Sequence, residues 1–170
     1  SVTACVARQC AHPDRSGLTL VLAGGEGTLL AMTSASGTFA NSGVHSDPTP
    51  ILRVEASTGR VIEDNSQPVG TQVMDPSVAQ KINDVLSDGV ARGPLGENYL
   101  FTFPGHDVAV KTGTTNDFRD AWTVGYTPSL VLGGWAGNND NTPLSHKVSG
   151  FIIGPSWTEV RMYARSKIDP

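Results

Sequence analysis

The stretch that decides the fold is His106-Asp107-Val108-Ala109-Val110-Lys111-Thr112-Gly113-Thr114-Thr115. Its β-branched residues predict a strand over 106–115, and along a strand alternate residues share a face. Lys111, Gly113 and Thr115 therefore lie together, with Thr112 and Thr114 opposite. An apolar strand ending in Lys-Thr-Gly-Thr-Thr presents one cation among several hydroxyls. Gly113 leaves out a side chain beside that cation, which lets another backbone approach closely. The combination suits an extended peptide lying along a strand edge, its carboxylate near the ammonium and the hydroxyls. Strict alternation puts the lysine and the threonines on opposite faces. For all of them to reach one ligand, this must be an edge strand with rim and face both open, or a locally twisted one.

A phosphate-binding loop does not fit here. Gly105 and Lys111-Thr112 have nearly the right spacing, but the residue before the lysine must be glycine for the backbone to wrap phosphates. Val110 stands there and continues the strand.

Downstream, residues 121–126 and 130–135 read as strands, separated by turn clusters at Asn116-Asp117 and Thr127-Pro128-Ser129. The short gap between the last two predicts an antiparallel pair. Residues 155–164 read as a helix with Trp157, Val160 and Ala164 on one face. Upstream, Leu29, Met32, Ser36, Phe39 and Ala40 recur at helical spacing over 28–40, and Asn41-Ser42-Gly43 ends that run. Residues 51–56 and 60–63 flank Ser57-Thr58-Gly59 as a short hairpin, followed by a polar loop over 64–70. A second helix starts at Asp75-Pro76. Asp75 can cap the free N–H groups, and proline at the first helical position gives up nothing. Val78, Ile82, Val85 and Leu86 form its apolar stripe. Residues 92–104 read as a loop and 1–17 as a loop or linker. The fold class is α+β: an antiparallel sheet with flanking helices.

Composition narrows the function. Lys plus Arg number 12 against 16 Asp plus Glu, a net charge of −4, and no basic block suggests a nucleic-acid partner. Charged residues are 16% of the chain, below the ~25% of an average domain. No apolar run approaches the ~18 residues that span a bilayer, so no membrane contact is expected from this segment. Ser1 to Cys10 lacks the charged start and apolar core of a signal peptide. Cys5 and Cys10, with His12 nearby, are too few for a zinc site, which leaves a local disulfide or two free thiols. His45, His106 and His146 have no metal-ligand spacing, so neither metal nor cofactor is expected. Trp122 and Trp135 read as core, and Asp117, Arg119 and Asp120 as a solvated loop.

The run Lys111 to Trp122 (KTGTTNDFRDAW), with Val124-Gly125-Tyr126-Thr127-Pro128 after it, closely resembles the transpeptidase domain of class A penicillin-binding proteins. Gly134-Trp135-Ala136-Gly137-Asn138, then Asp140-Asn141-Thr142-Pro143, resembles the family's next strand and turn. Leu29-x-x-Met32-Thr33-Ser34-Ala35-Ser36-Gly37-Thr38-Phe39-Ala40-Asn41-Ser42-Gly43-Val44 is similar to its helix before the hairpin. The resemblance extends from about Leu18 to Ala164. Thr123 and Ala136 depart from it, since bulkier apolar residues are expected there.

The resemblance implies the C-terminal half of a penicillin-binding fold. It also implies a peptidoglycan D,D-transpeptidase that crosslinks stem peptides through a serine acyl-enzyme and binds β-lactams. That enzyme group carries three signatures: Ser-x-x-Lys, a Ser-x-Asn triplet and Lys-Thr-Gly. Only the last is present, because no lysine here has serine three residues before it and no asparagine has serine two before. The nucleophile is therefore expected outside this chain, in an upstream half of the same domain, and this segment alone is expected to be inactive. By carry-over, Lys111 adds positive potential beside the nucleophile. Thr112, Gly113, Thr114 and Thr115 line the substrate, whose D-Ala-D-Ala carboxylate meets the threonine hydroxyls. The backbone N–H of Thr114 supplies one donor of the oxyanion hole. The implied location is the extracytoplasmic face of a bacterial membrane, anchored by a segment elsewhere. A stem-peptide-binding scaffold, or a β-lactamase or D,D-carboxypeptidase of the same fold, is the alternative. Low charge adds one more expectation: part of the apolar surface is buried against the upstream half.

Overall fold

The computed structural model describes residues 27–93, 100–103 and 105–168. Cys5, Cys10 and the 1–17 segment lie outside them. Thr28 caps the first helix, its hydroxyl accepting from Ala31 N at 3.2 Å. Helix α1 (Leu29–Ala40) ends where Ser42 and Gly43 take positive φ. A Cβ at Gly43 would strike the Met74 carbonyl, so glycine is needed there. Strand β1 (Val44–His45) pairs with β4 (Thr71–Gln72), and between them β2 (Arg53–Glu55) and β3 (Val61–Asp64) make the expected hairpin. The β1–β4 pair, two residues a side, is too short to leave a periodic signal.

Helix α2 (Pro76–Ser87) begins as its sequence predicts, with Ser77 N donating to Asp75 Oδ1 at 2.8 Å. Asp88 then caps the single turn α3 (Gly89–Arg92). The buried side of α2 differs from the expected stripe. Ala79 is fully buried, with Ile82, Asn83 and Leu86 beside it, whereas Val78 and Val85 face outward. Asn83 explains the rotation: its Nδ2 donates to Phe39 O at 3.1 Å and its Oδ1 accepts from Tyr126 Oη at 2.9 Å. A half-buried amide satisfied on both sides outweighs two valines left partly exposed.

The central sheet has strand order β5 (Ala109–Thr114), β6 (Asp120–Thr127), β7 (Leu130–Gly137), all antiparallel. The register sets which residues share a face. Lys111, Val124 and Gly133 stand in one row across the strands, and Gly113, Trp122 and Trp135 in the next. Helix α1 lies on this face, so close that a Cβ on Gly133 would run into Thr33 Oγ1. Helices α4 (Ser149–Ile152) and α5 (Gly154–Ile168) cover the other face.

The core sits under α5. Val108 and Val110 of the β5 side pack with Phe101 and Trp157, joined by Leu100, Phe103 and Leu132. Trp157 meets Phe101 edge-on at 5.8 Å and donates its indole N–H to Leu132 O at 3.0 Å. The inward face of α5 carries Trp157 and Arg161, one turn apart. Val160, expected on that face, is exposed instead. Trp135 is also corrected from core to surface at 40% exposed, its indole N–H reaching the Asp120 carboxylate.

Candidate functional site

Lys111, Thr112, Gly113 and Thr114 lie on β5, which is shorter than the expected 106–115, and Thr115 directly follows it. Among the described residues β5 pairs only with β6, so its outer side carries no partner strand. Thr115 N donates to Asp120 O at 3.2 Å, in register with the ladder that continues through β5. N–H groups of an antiparallel strand point alternately toward and away from the partner. With Thr115 facing β6, Gly113 and Lys111 face it as well, and the N–H of Thr114 points out over the open edge. The Thr112 carbonyl points the same way and accepts from Lys111 Nζ at 2.5 Å. The lysine thus curls from its own face over the rim.

This geometry resolves the tension in the sequence. Lys111 and Gly113 belong to the α1 face, Thr112 and Thr114 to the α4–α5 face, yet the rim joins them. The exposed Lys111 ammonium and the outward Thr114 N–H meet along one edge. Thr114 Oγ1 accepts from Ser149 N, at the start of α4, at 3.0 Å. That contact uses a lone pair and leaves the hydroxyl proton to donate.

Thr115 differs from its neighbours. Its hydroxyl donates to Asp120 Oδ2 at 2.9 Å and accepts from Asp120 N at 2.8 Å. Its one proton is spent within the protein, so Thr115 holds the strand end and has no donor left for a ligand carboxylate. Asp120 Oδ1 in turn accepts from Trp135 Nε1 at 2.9 Å. One carboxylate therefore ties the end of β5 to β6 and β7. The sequence reading took Asp120 for a loop charge; the useful signal was a Thr and an Asp at the two ends of a tight β5–β6 connection.

The connection itself is strained. Asp117 and Phe118 both take positive φ, at 60° and 56°, without being glycine. Contacts to the following loop hold it: Leu144 N donates to Phe118 O at 2.8 Å, His146 meets the Phe118 ring edge-on at 5.0 Å, and Arg119 donates to the Asn141 carbonyl. His146 and His45, which pairs with Thr38 Oγ1 at 3.0 Å, are structural in this sense. No group of three or more potential metal ligands occurs among the described residues.

Two concavities among the described residues lie elsewhere, one along α1 between Leu30 and Asn41, the other beside Arg161.

The family model of the penicillin-binding protein transpeptidase domain matches residues 23–133. Penicillin-binding protein 1A of Mycolicibacterium smegmatis is 36% identical over 149 residues, which cover 84% of this chain and 18% of that protein. Its namesake in Aquifex aeolicus is 32% identical over 154 residues, 85% of this chain and 20% of the relative. The solved structure of PonA1 from Mycobacterium tuberculosis in complex with penicillin V superposes with a TM-score of 0.75 at 27% identity. The match covers 96% of this chain and 47% of that one. The chain thus spans about a fifth of the length of those two curated relatives.

Proposed function

The chain belongs to the penicillin-binding protein transpeptidase family, and we propose that it supplies one wall of a serine acyl-transfer site that crosslinks peptidoglycan stem peptides. β-Lactams would acylate the same site. What supports this reading is the β5 edge, which has no partner strand among the described residues and carries the exposed Lys111 and Thr114 with the outward Thr114 N–H.

The remaining walls come from an upstream half of the domain that bears Ser-x-x-Lys and Ser-x-Asn. Its serine oxygen attacks the carbonyl between two D-alanines, losing its proton to a neighbouring base. The tetrahedral intermediate collapses, its C–N bond breaks, and D-alanine leaves with a proton. The acyl-enzyme then passes to an amine of a second stem peptide, which regenerates the serine. Within this chain, the Thr114 N–H donates to the developing oxyanion, a contact whose loss typically costs about 10²–10³ in rate. Lys111 raises the local positive potential for the anionic substrate. Thr112 and Thr114 hydroxyls bind its terminal carboxylate, and Gly113 leaves the edge clear for the peptide backbone. Thr115 sets the position of Thr114 through Asp120. The site faces the extracytoplasmic side of the membrane, where its substrate is, and anchoring falls to a segment outside these residues. No described helix is long and apolar enough to cross a membrane.

Labelling by a fluorescent penicillin tests the proposal. The full-length protein takes up label, Lys111→Ala loses most of it, and residues 1–170 alone take up none. Unchanged acylation in Lys111→Ala would remove the role given to that lysine, and a labelled serine within 1–170 would overturn the shared site. Stem-peptide binding with no acylation of the full-length protein would point to the scaffold alternative, and rapid hydrolysis of the penicilloyl adduct to a β-lactamase.

A further inference from the structure

The groove of about 350 Å³ beside Arg161 lies at the far end of the sheet from Thr114. Its lining includes His106 and Asp107 before β5, Pro128 in the β6–β7 turn, and Arg161, Arg165 and Ile168 of α5. From Thr114 back to the start of β5 and on to His106 is roughly 25 Å of extended chain at about 3.3 Å per residue. The groove is therefore separate from the proposed transpeptidase edge.

Arg161 is the unusual member. It is only 3% exposed, yet no hydrogen bond or salt bridge reaches its guanidinium among the described residues, and its Nε is buried without a partner. The guanidinium lies over the Phe103 ring at 4.0 Å, which fixes its plane. Arg165, one turn later on the same helix face, adds a second cation, also without a salt bridge among the described residues. Asp107 is the only carboxylate among the described lining residues, and no ion pair joins it to either arginine there. Buried cations are ordinarily paired, and like charges one helical turn apart repel. Burial, and then the charge of Arg165, both depress the Arg161 pKa, which agrees with a cation short of a counter-charge.

We propose that this groove is a binding site for a carboxylate or phosphate group, held by the Arg161 guanidinium with Arg165 at its rim. A planar guanidinium fixed against an aromatic ring presents parallel N–H donors to two oxygens at once. The groove is at the small end of ligand-sized cavities, which run from about 300 Å³ upward. It suits a compact anionic group and its immediate substituents.

The test uses the full-length protein, titrated by calorimetry with inorganic phosphate and separately with succinate, ionic strength held constant with chloride. Saturable binding of at least one is expected. Arg161→Met should abolish it and Arg165→Gln should weaken it at least tenfold, while both variants keep wild-type penicillin labelling. Arg165 is only half-buried, so its variant remains informative even if Arg161→Met fails to fold. The preferred probe separates the two anion classes. Absence of saturable binding by both probes, or equal binding in wild type and Arg165→Gln, would overturn the proposal.

Discussion

Replacing Asp120 by alanine is the sharpest test of how the edge strand is held. The change removes the acceptors of two hydrogen bonds, Thr115 Oγ1 to Oδ2 and Trp135 Nε1 to Oδ1, both 2.9 Å. Bonds to a charged partner are worth about 1.5–3 kcal/mol when well shielded. These are near the surface, where screening reduces them to about 1 kcal/mol each. The expected loss is about 2 kcal/mol, roughly a 30-fold fall in the folded-to-unfolded ratio. The bonds through backbone atoms, Asp120 N to Thr115 Oγ1 and Thr115 N to Asp120 O, survive, so the ladder persists. What changes is how firmly the Thr115 side chain is held, since its Oγ1 keeps one contact of two, and with it how firmly the Thr114 N–H one residue back is placed. On the proposed mechanism, acylation by penicillin should slow about tenfold, part of the 10²–10³ range for complete loss of such a donor. Asp120→Asn keeps an acceptor for Trp135 and should lose about half as much stability. Urea midpoints and second-order acylation rates in the full-length protein measure the two effects separately. Equal midpoints for wild type and Asp120→Ala would refute the clamp. A lower midpoint with an unchanged acylation rate would keep the clamp and refute its link to Thr114.

Other positions give independent checks. Thr123 is fully buried and its hydroxyl has no partner among the described residues, so Thr123→Val, which swaps that hydroxyl for a methyl, should raise stability by about 1 kcal/mol in thermal or urea unfolding. Gly125→Ala puts a Cβ 2.7 Å from Trp157 Cζ2 and 2.8 Å from the Ala109 carbonyl; a shift in β5 or α5 should cost about 1–3 kcal/mol in the same assay. Burial pushes the Tyr126 phenol up to about 12. The folded state then holds its proton more tightly than the unfolded state, so this contribution is complete below about pH 10 and fades as pH rises toward 12. Tyr126→Phe should flatten that part of the stability–pH curve. Hydrogen bonds from the Ser77 hydroxyl and N–H hold the Asp75 carboxyl below its usual range. Its capping of α2 is complete above the ordinary aspartate pKa and is lost as pH falls through the lower folded value. Hydrogen exchange at Ser77 and Val78 should quicken there, and Asp75→Ala should quicken it at all pH values.

Much of this was legible in the sequence because local chemistry set it. The Asp75-Pro76 start of α2, the turn at Gly59, and the three strands after His106 follow from capping, turn residues and alternation. The Lys-Thr-Gly-Thr run was legible too, but alternation left its edge position as one of two readings, the other being a local twist. What escaped depended on partners distant in sequence. Asn83 turns α2 away from the face its valines suggest, because its amide is satisfied by Phe39 and Tyr126. Arg161 takes the inward place expected of Val160 because Phe103 offers it a ring. Thr115 and Asp120 form a clamp only once the strained turn at Asp117 and Phe118 brings them together. A one-dimensional pattern carries periodicity and caps but not the pairing of polar atoms across the fold.

The open rim of β5 has a further consequence. Outward N–H and C=O groups that can hold an extended peptide also form a template for any other strand, including the same strand of a second molecule. Natural edges guard against such association by being short and by carrying lysine. Strand β5 has six residues, and the exposed Lys111 is its only charge. The residue assigned to substrate attraction is thus also the guard against edge-to-edge aggregation. Lys111→Ala should therefore be the variant of this edge most prone to self-association, and size-exclusion profiles belong beside its acylation rates.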